Sequence, residues 1–188
     1  RYIKLYGIQR TLAKILGRLR LNFPLWMFLF FPYYFRRGKK IAIIGCGHHA
    51  YSSVAFYLSR NTNSKIIGVY DIHKPTAESL AIAYKSKFVP LDTMLTNPSY
   101  KPDLVYICTN HATHSELAIK FLEAGCDVFI EKPISVNKKE LKNLSDVAQK
   151  DNNLKIYAGY NRPFSPAIKK LKKIQSNKEA PFTLSSFI

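Results

Sequence analysis

Two glycines and a small residue follow a short apolar run, in an order that can hold a phosphate group. The run Ile41-Ala42-Ile43-Ile44 leads directly into Gly45-Cys46-Gly47-His48-His49-Ala50. In such a pattern the first glycine allows a tight turn, the second allows the backbone to approach a pyrophosphate, and the small Ala50 allows the next helix to pack close to the strand. An ordinary tight turn between a strand and a helix is the alternative.

The residues around this turn favour the nucleotide interpretation. The four apolar residues predict a buried parallel strand, and a helix is predicted from His49 to about Arg60. The start of that helix would direct its N–H groups and its positive dipole end at the phosphates. We therefore predict a dinucleotide site at this turn. Its residues are Gly45, Gly47, His48, His49 and Ala50.

An acidic residue ends the second predicted strand, which runs from Lys65 to Asp71. A carboxylate at this position of a dinucleotide-binding fold accepts hydrogen bonds from the ribose hydroxyls. It also repels a 2′-phosphate, so Asp71 favours NAD over NADP. His73 and Lys74 would offset that repulsion and leave NADP as the second option. The alternative role for Asp71 is that of a turn or helix-capping residue.

The rest of the chain alternates between strand and helix patterns. Further strands are predicted at 88–89, 103–109, 127–131 and 154–160, with helices at 76–86, 91–96, 137–151 and a segment ending at Ala124. This alternation predicts an α/β fold, a Rossmann-type doubly wound parallel sheet. Ligands of such sheets lie at the carboxyl ends of the strands. Polar segments 45–50, 109–114, 131–133 and 160–162 are predicted to meet there.

These segments resemble the glucose–fructose oxidoreductase/inositol dehydrogenase family (Gfo/Idh/MocA). The resemblance lies in the Gly-Cys-Gly-His-His-Ala turn, Thr109-Asn110-His111-Ala112-Thr113-His114, Glu131-Lys132-Pro133 and the segment from Gly159 to Pro166. It runs from about Lys40 to the end of the chain, and Glu131-Lys132-Pro133 is its most specific element. It implies a nicotinamide enzyme that acts on sugars, cyclitols or related polyols.

The resemblance also implies roles for individual residues. Lys132 is the catalytic lysine, which lies by the nicotinamide and the substrate hydroxyl and helps to move the proton that accompanies the hydride. Glu131 orients its neighbours and is not a base, and Pro133 follows a cis peptide bond. Thr109 and Asn110 line the dinucleotide.

Three further residues are carried over from the family with alternatives. His111 and His114 face the cofactor, although His114 is equally a histidine with satisfied hydrogen bonds at the start of a helix. Asn161, with Arg162 next to it, reaches either the substrate or the domain hinge. All three belong to the predicted cofactor-binding set, together with Glu131 and Lys132.

The N-terminal segment differs in composition from the rest of the chain. The formal net charge is +17, and residues 1–40 contain ten Lys and Arg residues and no acid. Residues 1–21 have the pattern of a basic amphipathic helix, and residues 23–35 form an aromatic run too short to span a bilayer. The segment could contact a membrane surface, pack on a missing part of the protein or on another subunit, or bind nucleic acid, and the last is disfavoured by its large aliphatic residues.

The predicted organisation has three parts: a basic and aromatic extension at 1–39, a dinucleotide-binding domain at 40–165, and at 166–188 a linker helix with the first strand of a truncated substrate domain. We expect a cytoplasmic protein, with the option of contact with the inner face of the membrane through residues 1–37. The expected partners are a sugar or polyol and, at full length, a second copy of the chain, but no nucleic acid.

Two other functions fit parts of the pattern. A non-catalytic dinucleotide-binding sensor or partner subunit would not need Lys132, and a methyltransferase would not need Glu131-Lys132-Pro133. No metal site is expected, because the spacings of Cys46, Cys108 and Cys126 match no zinc or redox pair. These cysteines are expected to be small buried residues.

Overall fold

The structure, a computed structural model, describes residues 2–29, 38–61, 63–151 and 153–175. Its centre is a five-stranded sheet in which every pairing is parallel. The strands are β1 (Lys40–Ile44), β2 (Lys65–Tyr70), β3 (Leu104–Ile107), β4 (Asp127–Ile130) and β5 (Ile156–Ala158). Their order across the sheet is β2-β1-β3-β4-β5. The chain starts in the middle and winds outward in both directions, which confirms the predicted doubly wound sheet.

The prediction of a strand at 88–89 is wrong. Phe88 makes only an isolated parallel bridge with Val69 on the outer edge of β2. Val89 donates its N–H to the Val69 carbonyl at 3.0 Å, and Pro90, which has no N–H, ends the pairing. The strands predicted at 103–109 and 154–160 exist but are shorter.

The helices lie between the strands, as the alternating pattern predicts. They are α1 (Tyr2–Leu19), α2 (Trp26–Leu29), α3 (Phe56–Asn61), α4 (Lys74–Ala83), α5 (Leu91–Thr96), α6 (His114–Glu123), α7 (Lys138–Ala148) and α8 (Pro166–Gln175). Short 3-10 turns occupy His111–Thr113 and Arg162–Phe164. None of the helices in the described ranges is long and apolar enough to cross a membrane.

The helix after the glycine-rich turn is not a regular α-helix throughout. A π-helical segment, Ala50–Ala55, precedes α3. The Ser52 hydroxyl donates to the His48 carbonyl at 2.8 Å, and the Tyr84 hydroxyl donates to the Tyr51 carbonyl at 2.6 Å. Both hydroxyls use carbonyls that an α-helix offers to N–H groups four residues later, so the backbone bonds here are shifted.

The two faces of the sheet carry separate apolar layers. Ile41 and Ile43 point into a cluster shared with α1, the π-helical segment and α4. Ala42 and Ile44 point into a second cluster shared with α5, α6 and α7. The period-two alternation along β1 therefore supplies both faces, which explains why the strand is apolar at consecutive positions.

Helix α1 packs against the chain's own sheet domain. Ala13 and Leu16 are buried in the first cluster, and a Cβ at Gly17 would lie 2.6 Å from the Tyr51 ring. Arg20 lies 5.6 Å from the centroid of that same ring. This packing on the chain's own domain was not among the predicted alternatives, which stay untested for the exposed face of α1.

Parts of two predictions fall outside the described residues. The aromatic run beyond position 29 and its basic end at 36–37 are among them, as is the strand predicted near residues 182–188. The linker helix predicted from residue 166 corresponds to α8.

A buried carboxylate joins three segments at the amino-terminal edge of the sheet. Asp127 is 11% exposed at its side chain; its Oδ1 accepts from the Lys155 N–H at 3.0 Å and its Oδ2 accepts from the Lys39 ammonium. Burial acts to raise the pKa of Asp127, but the bonds from Lys39 and Lys155 outweigh it, so the pKa lies below its ordinary value. Asp127 therefore stabilises the fold in its ionised form.

We expect Asp127→Asn to lower the free energy of unfolding by about 1–3 kcal/mol at neutral pH, because a buried charged acceptor is lost. The folded-state pKa lies below the ordinary value of 3.8, so the contribution is complete above that value and is lost as the pH falls through the folded-state pKa. Urea unfolding at several pH values measures the difference between the two proteins, which should shrink in acid.

The matched control is Glu78→Gln, which removes an exposed partner of Lys74 at 3.5 Å. It should change the free energy of unfolding by less than about 0.5 kcal/mol. Equal effects of the two substitutions would show that Asp127 has no special role.

Candidate functional site

A cavity of about 490 Å³ opens at the carboxyl ends of β1, β2 and β3. Five residues of the predicted site line it: Gly45, Gly47, Asp71, Thr109 and Asn110. Tertiary structure thus joins three segments that are far apart in the sequence. The cavity has the position at which doubly wound sheets bind their ligands.

The two glycines of the turn have different structural roles. Gly45 has φ +85°, and a Cβ there would lie 2.6 Å from the carbonyl carbon of Cys108, so no larger residue fits. A Cβ at Gly47 would meet nothing within 4 Å, so this glycine faces open space beside the cavity. That space is where a pyrophosphate would lie, and the turn therefore fits a dinucleotide.

The helix start also fits an anion. Tyr51 donates its N–H to the Gly47 carbonyl at 3.0 Å, which begins the helical hydrogen bonding. The N–H groups in the first turn of a helix have no partner within the helix. Ala50 is buried beneath this turn, as its small size predicts, and the turn can direct its N–H groups at a phosphate.

Asp71 is both a turn residue and part of the cavity wall. One carboxylate oxygen accepts from the Cys46 N–H at 2.7 Å and the other from the His73 N–H at 2.9 Å. The Asp71 carboxylate thereby holds the glycine-rich turn against the end of β2. A carboxylate has about four lone-pair positions, so these two bonds leave capacity for ribose hydroxyls.

Thr109 and Asn110 form a small hydrogen-bonded loop after β3. The Thr113 hydroxyl donates to the Thr109 hydroxyl at 2.8 Å and lies 3.1 Å from the Asn110 carbonyl oxygen. This loop forms one side of the cavity. Its shape is set by its own threonines.

His114 is a buried histidine, and both its ring nitrogens have partners. Nδ1 lies 2.6 Å from the Pro133 carbonyl oxygen and Nε2 lies 3.1 Å from the Thr109 carbonyl oxygen. Both partners are carbonyl oxygens, which only accept, so a neutral ring with its single N–H donates to one of them at a time. The ring links the loop after β3 to the segment after β4. His111 is exposed, and its ring centroid is 5.7 Å from that of His114.

Glu131 contacts the glycine-rich turn. Its Oε1 lies 3.2 Å from His49 Nε2, and that hydrogen bond holds the pKa of Glu131 below its ordinary value although burial opposes it. The next peptide bond, Lys132–Pro133, is cis, as the family resemblance implies. Lys132 and Asn161 are exposed and lie outside the lining of the cavity.

Helix α6 contributes to one wall of the cavity, and beyond Thr113 of the predicted segment 109–114 this wall was not predicted from the sequence. Thr113, Glu116, Leu117 and Lys120 line it from α6 and the turn before it, and Lys120 pairs with Glu116 at 2.6 Å. Their spacing of three, four and seven residues places them on one helical face. That spacing was the available signal. Tyr70, Ile72 and Leu91, from the end of β2 and the start of α5, also line the cavity.

The described residues offer little for metal or thiol chemistry. They contain no group of three or more His, Cys, Asp or Glu side chains arranged to hold a metal ion. The three cysteines are free, and burial raises the pKa of the Cys46 and Cys108 thiols. Cys46 and Cys126 are buried as predicted, whereas Cys108 is half-buried and lines the cavity.

Comparisons with known proteins agree with this geometry. The sequence matches the Gfo/Idh/MocA family, described as "Oxidoreductase family, NAD-binding Rossmann fold", over residues 39–160. It is 30% identical over 123 residues to D-glucoside 3-dehydrogenase of Escherichia coli, covering 65% of this chain and 35% of the relative. It is also 30% identical over 116 residues to inositol 2-dehydrogenase of Rhizobium meliloti, covering 62% and 34%.

A solved structure shows the same fold. Scyllo-inositol dehydrogenase from Lactobacillus casei, with bound NAD(H) and scyllo-inositol, matches with a TM-score of 0.66 and 22% identity, over 74% of this chain and 41% of that one. The chain thus spans about a third of the length of the curated relatives it matches. With the family match over 39–160, it belongs to the Gfo/Idh/MocA oxidoreductases and contains their NAD-binding Rossmann fold.

Proposed function

We propose that this chain is the cofactor domain of an NAD-dependent dehydrogenase that acts on a CH–OH group of a sugar, cyclitol or related polyol. The observation that carries the proposal is Gly47, which faces open space beside a cavity that Asp71 and Thr109 also line. The relatives' activities support the substrate class, since they are a glucoside dehydrogenase and an inositol dehydrogenase.

The residues of the cavity have distinct binding roles in this proposal. The first helical turn, from His48, binds the pyrophosphate, and Asp71 accepts hydrogen bonds from the adenosine ribose. Thr109 and Asn110 border the path of the dinucleotide. The Asp71 carboxylate repels a 2′-phosphate, so NAD is the preferred cofactor and NADP the weaker one.

Lys132 is the proposed catalytic residue. NAD supplies the hydride acceptor. As the hydride leaves, the Lys132 amine takes the proton of the substrate hydroxyl, and the ammonium that forms stabilises the charge developing on that oxygen; in the reverse direction the ammonium returns the proton to the carbonyl oxygen. Its exposure leaves it free to face a substrate held by a second domain. His114 positions this segment through the Pro133 carbonyl, at 2.6 Å.

We also propose that a full-length protein forms a homo-oligomer in the cytoplasm and contacts the inner face of the membrane through its basic extension. Ile8, Ile15 and Leu19 lie on one face of α1 and are exposed, while Ala13 and Leu16 are buried on another face. Arg18 and Lys14 flank the exposed face. Apolar side chains beside cations are the composition that binds anionic lipid surfaces.

The first prediction from this proposed function concerns cofactor binding and the preference between NADH and NADPH. NADH should bind saturably and more tightly than NADPH, as measured by fluorescence titration. Asp71→Ala should weaken NADH binding by about tenfold or more, because a charged acceptor is lost. Asp71→Asn keeps an acceptor oxygen without the charge. This variant should reduce the preference for NADH over NADPH, because it no longer repels the 2′-phosphate.

Gly47→Val supplies a control that separates binding from folding. The added side chain enters open space, so the melting temperature should stay unchanged while NADH binding is lost. NADH binding equal to that of the wild type would overturn the cofactor site. A preference for NADPH would transfer the specificity role from Asp71 to His73 and Lys74.

The second prediction concerns Lys132 and requires a form of the protein that carries a substrate domain. Lys132→Ala should lower kcat by about 10²–10⁴-fold, because proton transfer loses its acid–base group. NADH affinity should be almost unchanged. Lys139→Ala, an exposed lysine of α7, is the control. Wild-type turnover of Lys132→Ala would contradict the mechanism.

The third prediction concerns the membrane. The chain should sediment with vesicles of phosphatidylcholine and phosphatidylserine, less at high salt, and not with phosphatidylcholine alone. Ile15→Glu should reduce sedimentation, because its side chain is exposed on the proposed lipid face. Val136→Glu is the matched control, since Val136 is exposed elsewhere. Equal sedimentation of both variants and the wild type would exclude this contact.

A further inference from the structure

A histidine of the glycine-rich turn contacts a carboxylate from a strand that is not its neighbour. His49 follows β1 and Glu131 follows β4, and β3 lies between these strands in the sheet. Adjacent strands are about 4.8 Å apart, so the contact between His49 and Glu131 spans roughly 10 Å of sheet edge. The two side chains meet at 3.2 Å, near the carboxyl end of β3.

The position of Glu131 is fixed from the opposite side. Gly159 follows β5, and a Cβ there would lie 3.0 Å from Glu131 Oε2 and 3.2 Å from Glu131 Cα. Glu131 also donates its N–H to the Ile107 carbonyl at 3.0 Å. The Glu131 side chain is 21% exposed and the His49 side chain is 62% exposed. The carboxylate is therefore fixed by its surroundings, whereas the imidazole is accessible to a ligand.

This contact lies at a particular place relative to the cavity. Gly47, two residues before His49, borders the space proposed for the pyrophosphate, and Lys132 follows Glu131 directly. The contact therefore joins the phosphate-binding turn to the segment proposed to act at the nicotinamide. A protonated imidazole here adds a positive charge at a helix start that already attracts anions.

We propose that His49 is a positioning residue: held by Glu131, it joins the glycine-rich turn to the Glu131-Lys132-Pro133 segment, and its protonated form strengthens dinucleotide binding. The inference rests on the proposed function for its ligand. It concerns a contact that is present without that ligand.

Several charged and titratable groups lie near the contact between His49 and Glu131. Glu131 contacts His49 from the end of β4, Lys132 acts on the Glu131 carboxylate as its neighbour in the chain, and His48 precedes His49 in the same turn. His48 Nε2 lies 3.4 Å from the Ser52 hydroxyl and so has a different partner. Because the hydrogen bond from His49 lowers the pKa of Glu131, that carboxylate stays ionised in the range of about pH 5–8 where histidines change charge.

The test is an NADH titration of the whole chain between pH 5.5 and 8.5. Wild-type affinity should fall as the pH rises, since the imidazole loses its charge beside the two phosphates. His49→Gln keeps an N–H donor without titrating, so its affinity should be nearly independent of pH and close to that of the wild type at high pH. His49→Leu should bind about threefold to tenfold more weakly at pH 6.

Glu131→Gln completes a double-variant cycle. If the two residues act as a pair, His49→Leu combined with Glu131→Gln should lose no more affinity than the more affected single variant. Asp146→Asn, an exposed acid of α7, should keep the wild-type pH profile. Additive losses or a pH-dependent His49→Gln would overturn the inference.

A second measurement does not depend on the cofactor. Without NADH, carbon NMR of the Glu131 carboxyl should show its pKa rising toward the ordinary value in His49→Leu, because the hydrogen bond that lowers it is gone. An unchanged Glu131 titration would show that the contact is absent in solution. That result would overturn the inference about His49 but not the proposed function. Failure of the wild type to bind NADH would instead overturn the proposed function and, with it, the role of His49 in binding.

Discussion

The close approach of two backbones at the end of β1 is the constraint on which the site depends. Gly45 turns with φ +85° so near to β3 that a Cβ would lie 2.6 Å from the Cys108 carbonyl carbon. This contact holds the turn close to the end of β3. The Asp71 carboxylate can then reach the Cys46 N–H at 2.7 Å, and the helix can start at Gly47. Without the close approach, the space beside Gly47 and the first helical turn would not face the same cavity.

The two edges of the sheet show how one architecture separates stability from binding. At the amino-terminal edge, Asp127 is buried and its bonds join the approaches to three strands, so its charge stabilises the fold. At the carboxyl edge, Asp71, Thr109 and Glu131 also have partners but keep part of their surface open. Partly satisfied groups of this kind can bind a ligand without a large loss of internal bonds. Helix α1 packs against Tyr51 and contributes no residue to the lining of the cavity.

Particular elements show how far local pattern could predict this fold. The apolar run of β1, the glycines and the alternation of strands and helices were sufficient for the sheet, its direction and the turn at Gly45. Phe88 was mistaken for part of a strand, because two apolar residues have the same local pattern whether they form a ladder or a single bridge. The π-helical segment was not predicted, and one of its carbonyls, that of Tyr51, accepts from the Tyr84 hydroxyl 33 residues away, a contact with no local signal. The wall of the cavity on α6 was not predicted, because polar residues at strand ends indicate a site at the sheet edge, whereas this wall uses a helix face.

By itself, the sequence determined which residues turn tightly, which strands are buried on both faces and which polar groups follow them, because these properties depend on neighbours within a few positions. Only the tertiary structure decided which of the polar groups meet. The His114 ring lies between the carbonyl oxygens of Thr109 and Pro133, which follow different strands, and the contact between His49 and Glu131 spans strands that are not adjacent. The packing of α1 on Tyr51 was decided in the same way, since an amphipathic helix has a face to bury but does not specify the surface that buries it. The physical reason is that such contacts depend on strand order and on side-chain packing between distant segments, neither of which leaves a local periodic pattern.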